Sequence, residues 1–236
     1  MTTRIATVPA TPLLIPEVAA GAAAEFHDVR GAALQRLRWA AGSDNRVILL
    51  AADPGVRSVV ELPASSSHDL SGLGLPTSFD AAPRDSSGTR PVVSAMVGTW
   101  LAAAVEVEIA SIWAVPADPA QALAHPTPDL GQGDVGVVLI ADGSATRTPK
   151  APGSFVEGAL EFDGRLIDAV SAVDVDYFLD PARVDDVERF GVQGLGAWAV
   201  AARFAGTQTG EWSGEVDVAV DPLGVQYLVA GWRQDP

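Results

Sequence analysis

Arg46-Val-Ile-Leu-Leu-Ala-Ala52 sets an unbroken apolar run behind a single charge and leads directly into Asp53-Pro54. A strand with no polar alternation must have both of its faces covered, as strands do in a parallel sheet packed by helices on each side. Upstream, Arg4 to Val8 reads as a short strand closed by Pro9, and Glu17 to Ala41 as a long alanine-rich helix that starts after Pro16 and stops at Gly42. Strand, helix, strand is the opening of a parallel α/β fold.

Downstream, residues 63–90 change to Ser, Gly, Pro and Asp with no sustained helical or strand period, which predicts a long loop of the functional or mobile kind. Pro91 to Val105 reads as a helix and Ile109 to Val115 as a strand. A proline-rich connection, Pro116 to Gly133, then leads into a second doubly buried strand, Val135 to Ile140. Ser154 and Glu157 have capping-box spacing, with Val156, Leu160, Ile167 and Val170 as a helical stripe behind them. Asp180-Pro181 predicts a short helix running to Phe190. Another helix begins near Gly194, with Leu195, Trp198, Ala199 and Ala202 on one face. The end of the chain reads as a hairpin, Glu215 to Val220 and Val225 to Trp232, around Asp221-Pro-Leu-Gly224. The expectation is one α/β domain over 1–236, a mostly parallel central sheet flanked by helices, with a C-terminal β-hairpin.

The formal net charge of -15 comes from 30 acidic and 15 basic residues with no long like-charge run. Such a surface repels phosphate backbones and anionic lipids, so nucleic-acid and membrane partners are not expected. The absence of cysteine removes disulfides, thiolate metal sites and cysteine nucleophiles. No signal-peptide core fits the proline-interrupted N-terminus, and no apolar run reaches the roughly 18 residues of a membrane span. A soluble, cytoplasmic protein is the expectation.

Several motifs dissolve on inspection. Gly131-Gln-Gly-Asp-Val-Gly136 has the spacing of a dinucleotide fingerprint, but it precedes a strand, whereas phosphate binding needs it after one and opening a helix. Asp174, Asp176, Asp180 and Asp185 imitate a calcium loop, yet Leu179 stands where that loop requires glycine. The three histidines, His27, His68 and His125, lie far apart and form no helical metal-ligand pair. The most pointed segment is Leu139-Ile-Ala-Asp-Gly-Ser-Ala-Thr-Arg-Thr-Pro-Lys150, which leaves the carboxyl end of a buried strand, where open α/β sheets bind ligands. Asp142, Ser144, Arg147 and Lys150 could orient an anionic or hydroxylated small molecule there; a solvated connecting loop is the equal alternative.

Three segments together carry a family likeness: Val8-Pro-Ala-Thr-Pro-Leu-Leu-Ile-Pro-Glu17, Ala141-Asp-Gly-Ser-Ala-Thr-Arg147 with Lys150-Ala-Pro-Gly153, and Pro222-Leu-Gly-Val-Gln-Tyr-Leu-Val-Ala-Gly-Trp232. In order and spacing the chain resembles the catalytic B-type subunit of class III extradiol ring-cleavage dioxygenases, particularly an actinobacterial subgroup lacking the iron ligands. The resemblance implies a histidine in the first turn, a second after the next strand and a C-terminal glutamate, together holding Fe(II). This chain has Ala10-Thr11-Pro12 and Asp53-Pro54 at the first two places, and Ala145 at the place of the acid/base histidine; Glu211 or Glu215 is the candidate carboxylate. Two imidazoles and a carboxylate suit non-haem iron. Without them, no catalytic residue, metal or cofactor is expected, and the scaffold is read as binding a small molecule around Thr11, Asp53, Asp142, Ser144, Arg147 and Lys150. Two alternatives stay open: an active enzyme with a different metal or none, using Asp53, Asp142 and His68 or His27, and a non-catalytic interaction subunit or homo-oligomer.

Overall fold

The structure, a computed structural model, describes residues 2–63, 92–124, 126–130 and 136–235. The 63–90 loop beyond its first residue, His68, His125 and the glycine-rich Gly131 to Gly133 therefore lie outside the described residues. In chain order the elements are β1 (Arg4–Val8), α1 (Pro16–Ala19), α2 (His27–Ala41), β2 (Arg46–Asp53), β3 (Val60–Leu62), α3 (Val93–Ala104), β4 (Glu108–Pro116) and α4 (Pro119–Leu123). There follow β5 (Gly136–Ile140), α5 (Ala159–Ala172), α6 (Val175–Leu179), α7 (Arg183–Phe190), α8 (Leu195–Thr207), β6 (Trp212–Val220) and β7 (Tyr227–Gln234).

All strands form one seven-stranded sheet in the order β3-β4-β2-β5-β1-β7-β6. The pairs β4 with β2, β2 with β5 and β5 with β1 are parallel; β3, β7 and β6 join antiparallel. The run that opens this reading is β2, with β4 and β5 beside it. Its pleat sends Val47, Leu49 and Ala51 into one core with α2 and α3, and Ile48, Leu50 and Ala52 into a second core with α5, α6 and α8. An apolar residue at every position is what two such cores require. The helix α8 lies so close to β4 that a side chain at Gly196 would strike the Pro116 carbonyl.

The edge hairpin β6–β7 is pinned to α2 by Arg36. Its guanidinium is buried, stacks 4.6 Å over Trp39, pairs with Glu215 at 3.0 Å and grips Asp217 with two nitrogens. Every tryptophan is buried or half-buried, while the most exposed large apolar side chains among the described residues are Leu160, Phe155 and Leu223. No helix among the described residues is long and apolar enough to cross a membrane.

Four local expectations need correction. The 17–41 helix is two: Ala20 takes a left-handed φ of 45°, and α2 starts only at His27. The break lets both Ile15 and Phe26 reach the core, where Phe26 meets the Tyr227 ring edge-on. The Ser154–Glu157 capping box does not form, because Ser154 sits at φ 62° and the helix begins beyond Gly158; Leu160 is then 62% exposed instead of lying on the buried stripe. The Pro116–Gly133 connection contains α4, capped by Asp118, whose carboxylate accepts from the Ala120 and Gln121 amides. Strand β6 starts at Trp212, three residues before the expected Glu215.

Leu50→Ala should cost about 2–5 kcal/mol of stability, the range for emptying a buried leucine site. Leu160→Ala should change it by less than about 0.5 kcal/mol. Urea denaturation of both variants measures the difference.

Candidate functional site

Four parallel strands deliver their carboxyl ends to one edge of the sheet, and the polar residues that a doubly buried strand cannot carry begin there. After β1, the Thr11 side chain caps a single 3-10 turn, accepting the Leu13 amide at 3.3 Å, with Pro12 at the first helical position. At the end of β2, Asp53 folds its carboxylate back to accept the Gly55 amide at 2.9 Å. Beyond β5, Ala141 continues the ladder to the Val8 carbonyl, and Asp142 Oδ1 then accepts the Ala10 amide at 2.9 Å. That bond ties together loops 132 residues apart in sequence. Because β7 runs antiparallel to β1, its first residue, Tyr227, starts at the same edge.

These residues line an open-mouthed cavity of about 370 Å³, within the range of roughly 300–1,000 Å³ typical of small-molecule sites. Its polar groups come from Thr11, Asp53, Ser94, Asp142, Gln193 and Tyr227, and its apolar walls from Pro12, Pro54, Val93, Pro152 and Val225. Ser94, at the start of α3, donates its hydroxyl to the Ala52 carbonyl at 2.7 Å, joining that helix to the end of β2.

The Asp142 carboxyl is pushed up to about 7 by burial, which the single Ala10 amide only partly offsets. Tyr227 is raised to about 12, first by burial and further by the neighbouring Asp142 charge, against a stabilising hydrogen bond with Thr11. A half-buried carboxyl, a buried phenol and a buried hydroxyl thus line one cavity.

Of the residues expected from sequence, Thr11, Asp53 and Asp142 line this cavity. Ser144 and Arg147 turn away into a separate buried network, and Lys150 is exposed. Ser144 Oγ donates to Asp163 Oδ2 at 2.5 Å and its amide to Oδ1 at 3.0 Å. Arg147 donates to Gln226 Oε1 and lies 3.3 Å from Asp221 and 3.7 Å from Asp163. Burial pushes the Asp163 carboxyl up, while Ser144 and Arg147 pull it down.

The connection between strand and network is the Asp142–Ser144 turn. Gly143 donates to the Gln226 carbonyl at 2.9 Å, and the Gln226 amide donates to Ser144 O at 2.8 Å. A side chain on Gly143 would come within 2.9 Å of Gln226 and 3.0 Å of Asp163, so only glycine lets the turn press down on both. The network is therefore the floor that fixes the Asp142 position.

Asp163 and Tyr227 were not singled out from sequence. The signal for Asp163 is its spacing: it sits three and seven residues before the buried Leu166 and Val170, on the stripe that enters the core. For Tyr227 it is the antiparallel return of the hairpin, which begins a strand at the edge where the parallel ones end.

The donors do not fit ferrous iron. No imidazole is among the described lining residues, His27 is exposed on α2, and Glu215 is taken up by Arg36. No group of three metal-binding side chains occurs among the described residues. No family model and no curated protein matches the chain.

Because the folded carboxyl of Asp142 holds its proton more tightly than the unfolded one, it favours the fold at low pH, and that advantage is lost as pH rises through about 7. Asp142→Asn keeps the shape and removes the titration. Relative to wild type, the variant should gain roughly 2–3 kcal/mol between pH 5 and 8.5, read from urea midpoints at the two pH values; other titrating groups, Asp163 included, cancel in the difference.

Proposed function

We propose that this chain is a cytoplasmic small-molecule-binding protein on a scaffold like that of class III extradiol dioxygenases, working at the carboxyl-edge cavity without iron. One observation carries the reading. The places where the resemblance implies histidines, Ala10 to Pro12, Asp53-Pro54 and Ala145, come from three distant segments and converge on the same cavity. At those places the side chains supply oxygen or nothing, where ferrous iron calls for imidazole nitrogen. A cleft with apolar walls and a few polar groups remains, which is the general form of a ligand site. The absence of cysteine suits a reducing compartment.

A second reading, a metal-free enzyme, has one specific observation in its favour. Asp142, with its carboxyl at about 7, lies in the range where a side chain both takes and gives a proton near neutral pH. The exposed His27 gives it no support, and His68 and His125 lie outside the described residues.

Amide chemical-shift mapping of the isotope-labelled chain against a library of small polar compounds should find ligands whose shifts cluster at residues 10–12, 53–55, 142–145 and 227. Purified protein should take up no stoichiometric Fe(II) and consume no O2 with catechol. Stoichiometric iron with catechol-dependent O2 uptake would overturn the proposal, as would shifts that avoid the cavity altogether.

A further inference from the structure

The chemistry of the cavity narrows its ligand. Among the described lining residues the ionisable groups are two carboxyls, Asp53 from β2 and Asp142 beyond β5, and one phenol, Tyr227 from β7. The first turn of α3 contributes Val93 and Ser94 and the α7–α8 connection contributes Gln193, none of which titrates. The Arg147 guanidinium, on the loop that follows Asp142, is engaged behind the floor by Gln226, Asp221 and Asp163. Among the described lining residues an anion would find no cationic side chain.

Asp142 is the unsatisfied partner. Its hydrogen-bond complement is a single amide, from Ala10, although a carboxylate offers about four acceptor positions. Thr11 and Tyr227, each less than a tenth exposed, place two more oxygens beside it. Acceptors outnumber donors, and the surrounding walls are apolar.

We infer that the cavity takes a small organic cation, a primary amine with a compact apolar body, its ammonium seated against the Asp142 carboxylate with the Thr11 and Tyr227 oxygens as further acceptors. This rests on the small-molecule reading above. A primary ammonium carries three donors on one centre, and three oxygen-bearing side chains line this cavity side by side. A hard divalent cation matches poorly, because it asks for six to eight oxygens and several carboxylates, and no group of three such side chains occurs among the described residues. The overall charge of -15 raises the local concentration of cations at the entrance. Because the empty site holds the carboxyl proton near neutrality, seating an ammonium releases that proton and makes affinity fall with pH below about 7.

The test compares benzylammonium with its neutral isostere, benzyl alcohol, by titration calorimetry on the full chain at pH 8.5 and 6. The amine should bind at least tenfold more tightly than the alcohol at pH 8.5, and its affinity should drop about tenfold at pH 6. At pH 7, the heat should vary with the ionisation enthalpy of the buffer, because protons are released. Asp142→Asn should abolish the preference, while Tyr227→Phe should weaken binding and keep it. The buffer dependence is measured on the wild-type protein and stands even if a variant fails to fold. Equal or tighter binding of the alcohol would overturn the cation inference and leave the cavity reading standing. Binding of neither compound would overturn the inference as well, with the library mapping deciding separately whether the cavity binds anything.

Discussion

A parallel strand covered on both faces has little room for polar side chains along its length. In this protein β2 and β5 are apolar at every covered position, and polarity resumes only where they end, at Asp53 and Asp142. Because β1, β2, β4 and β5 run the same way, those ends fall on one edge. The sheet thereby gathers polar groups from segments far apart in sequence at that edge. The site is a consequence of double-sided burial: the same demand that builds two cores concentrates chemistry at the rim.

The rim is held by a few directional bonds. The Asp142 carboxylate clasps the β1 loop through the Ala10 amide, and the turn carrying it is paired with Gln226 and pressed onto Asp163 through Gly143. Ser144 and Arg147 serve that support through their bonds to Asp163, Gln226 and Asp221. The result is a half-buried carboxyl that is held in place and accepts from one backbone amide. Its partial burial raises its proton affinity, and its shortage of donors leaves acceptor positions open to a ligand that brings donors or positive charge.

The central sheet was legible because burial on two faces leaves a mark that needs no partner to be read: Val47 to Ala52 and Val137 to Ile140 are apolar throughout. The hairpin was legible from its turn residues. Local helix signals misled where tertiary packing overrode them. Nothing in an alanine-rich stretch announces that burying both Ile15 and Phe26 requires a break at Ala20, and the spacing of Ser154 and Glu157 fits a cap that the chain does not use. At the rim, the loops carrying Thr11, Asp53 and Asp142 could be placed from strand ends alone. The direction of Arg147 could not, because it is decided by Asp163, Asp221 and Gln226, which arrive from α5 and from the approach to β7.

The state of one carboxyl tests this physical picture most directly. Carbon-13 NMR of the Asp142 side chain, assigned by comparison with Asp142→Asn, follows its protonation in the intact protein. A midpoint near 7 is expected for a carboxyl drawn into the cavity wall with one amide donor. A midpoint in the ordinary carboxylate range, around 4, would mean that water hydrates it freely, and the desolvated carboxyl at the rim would be contradicted.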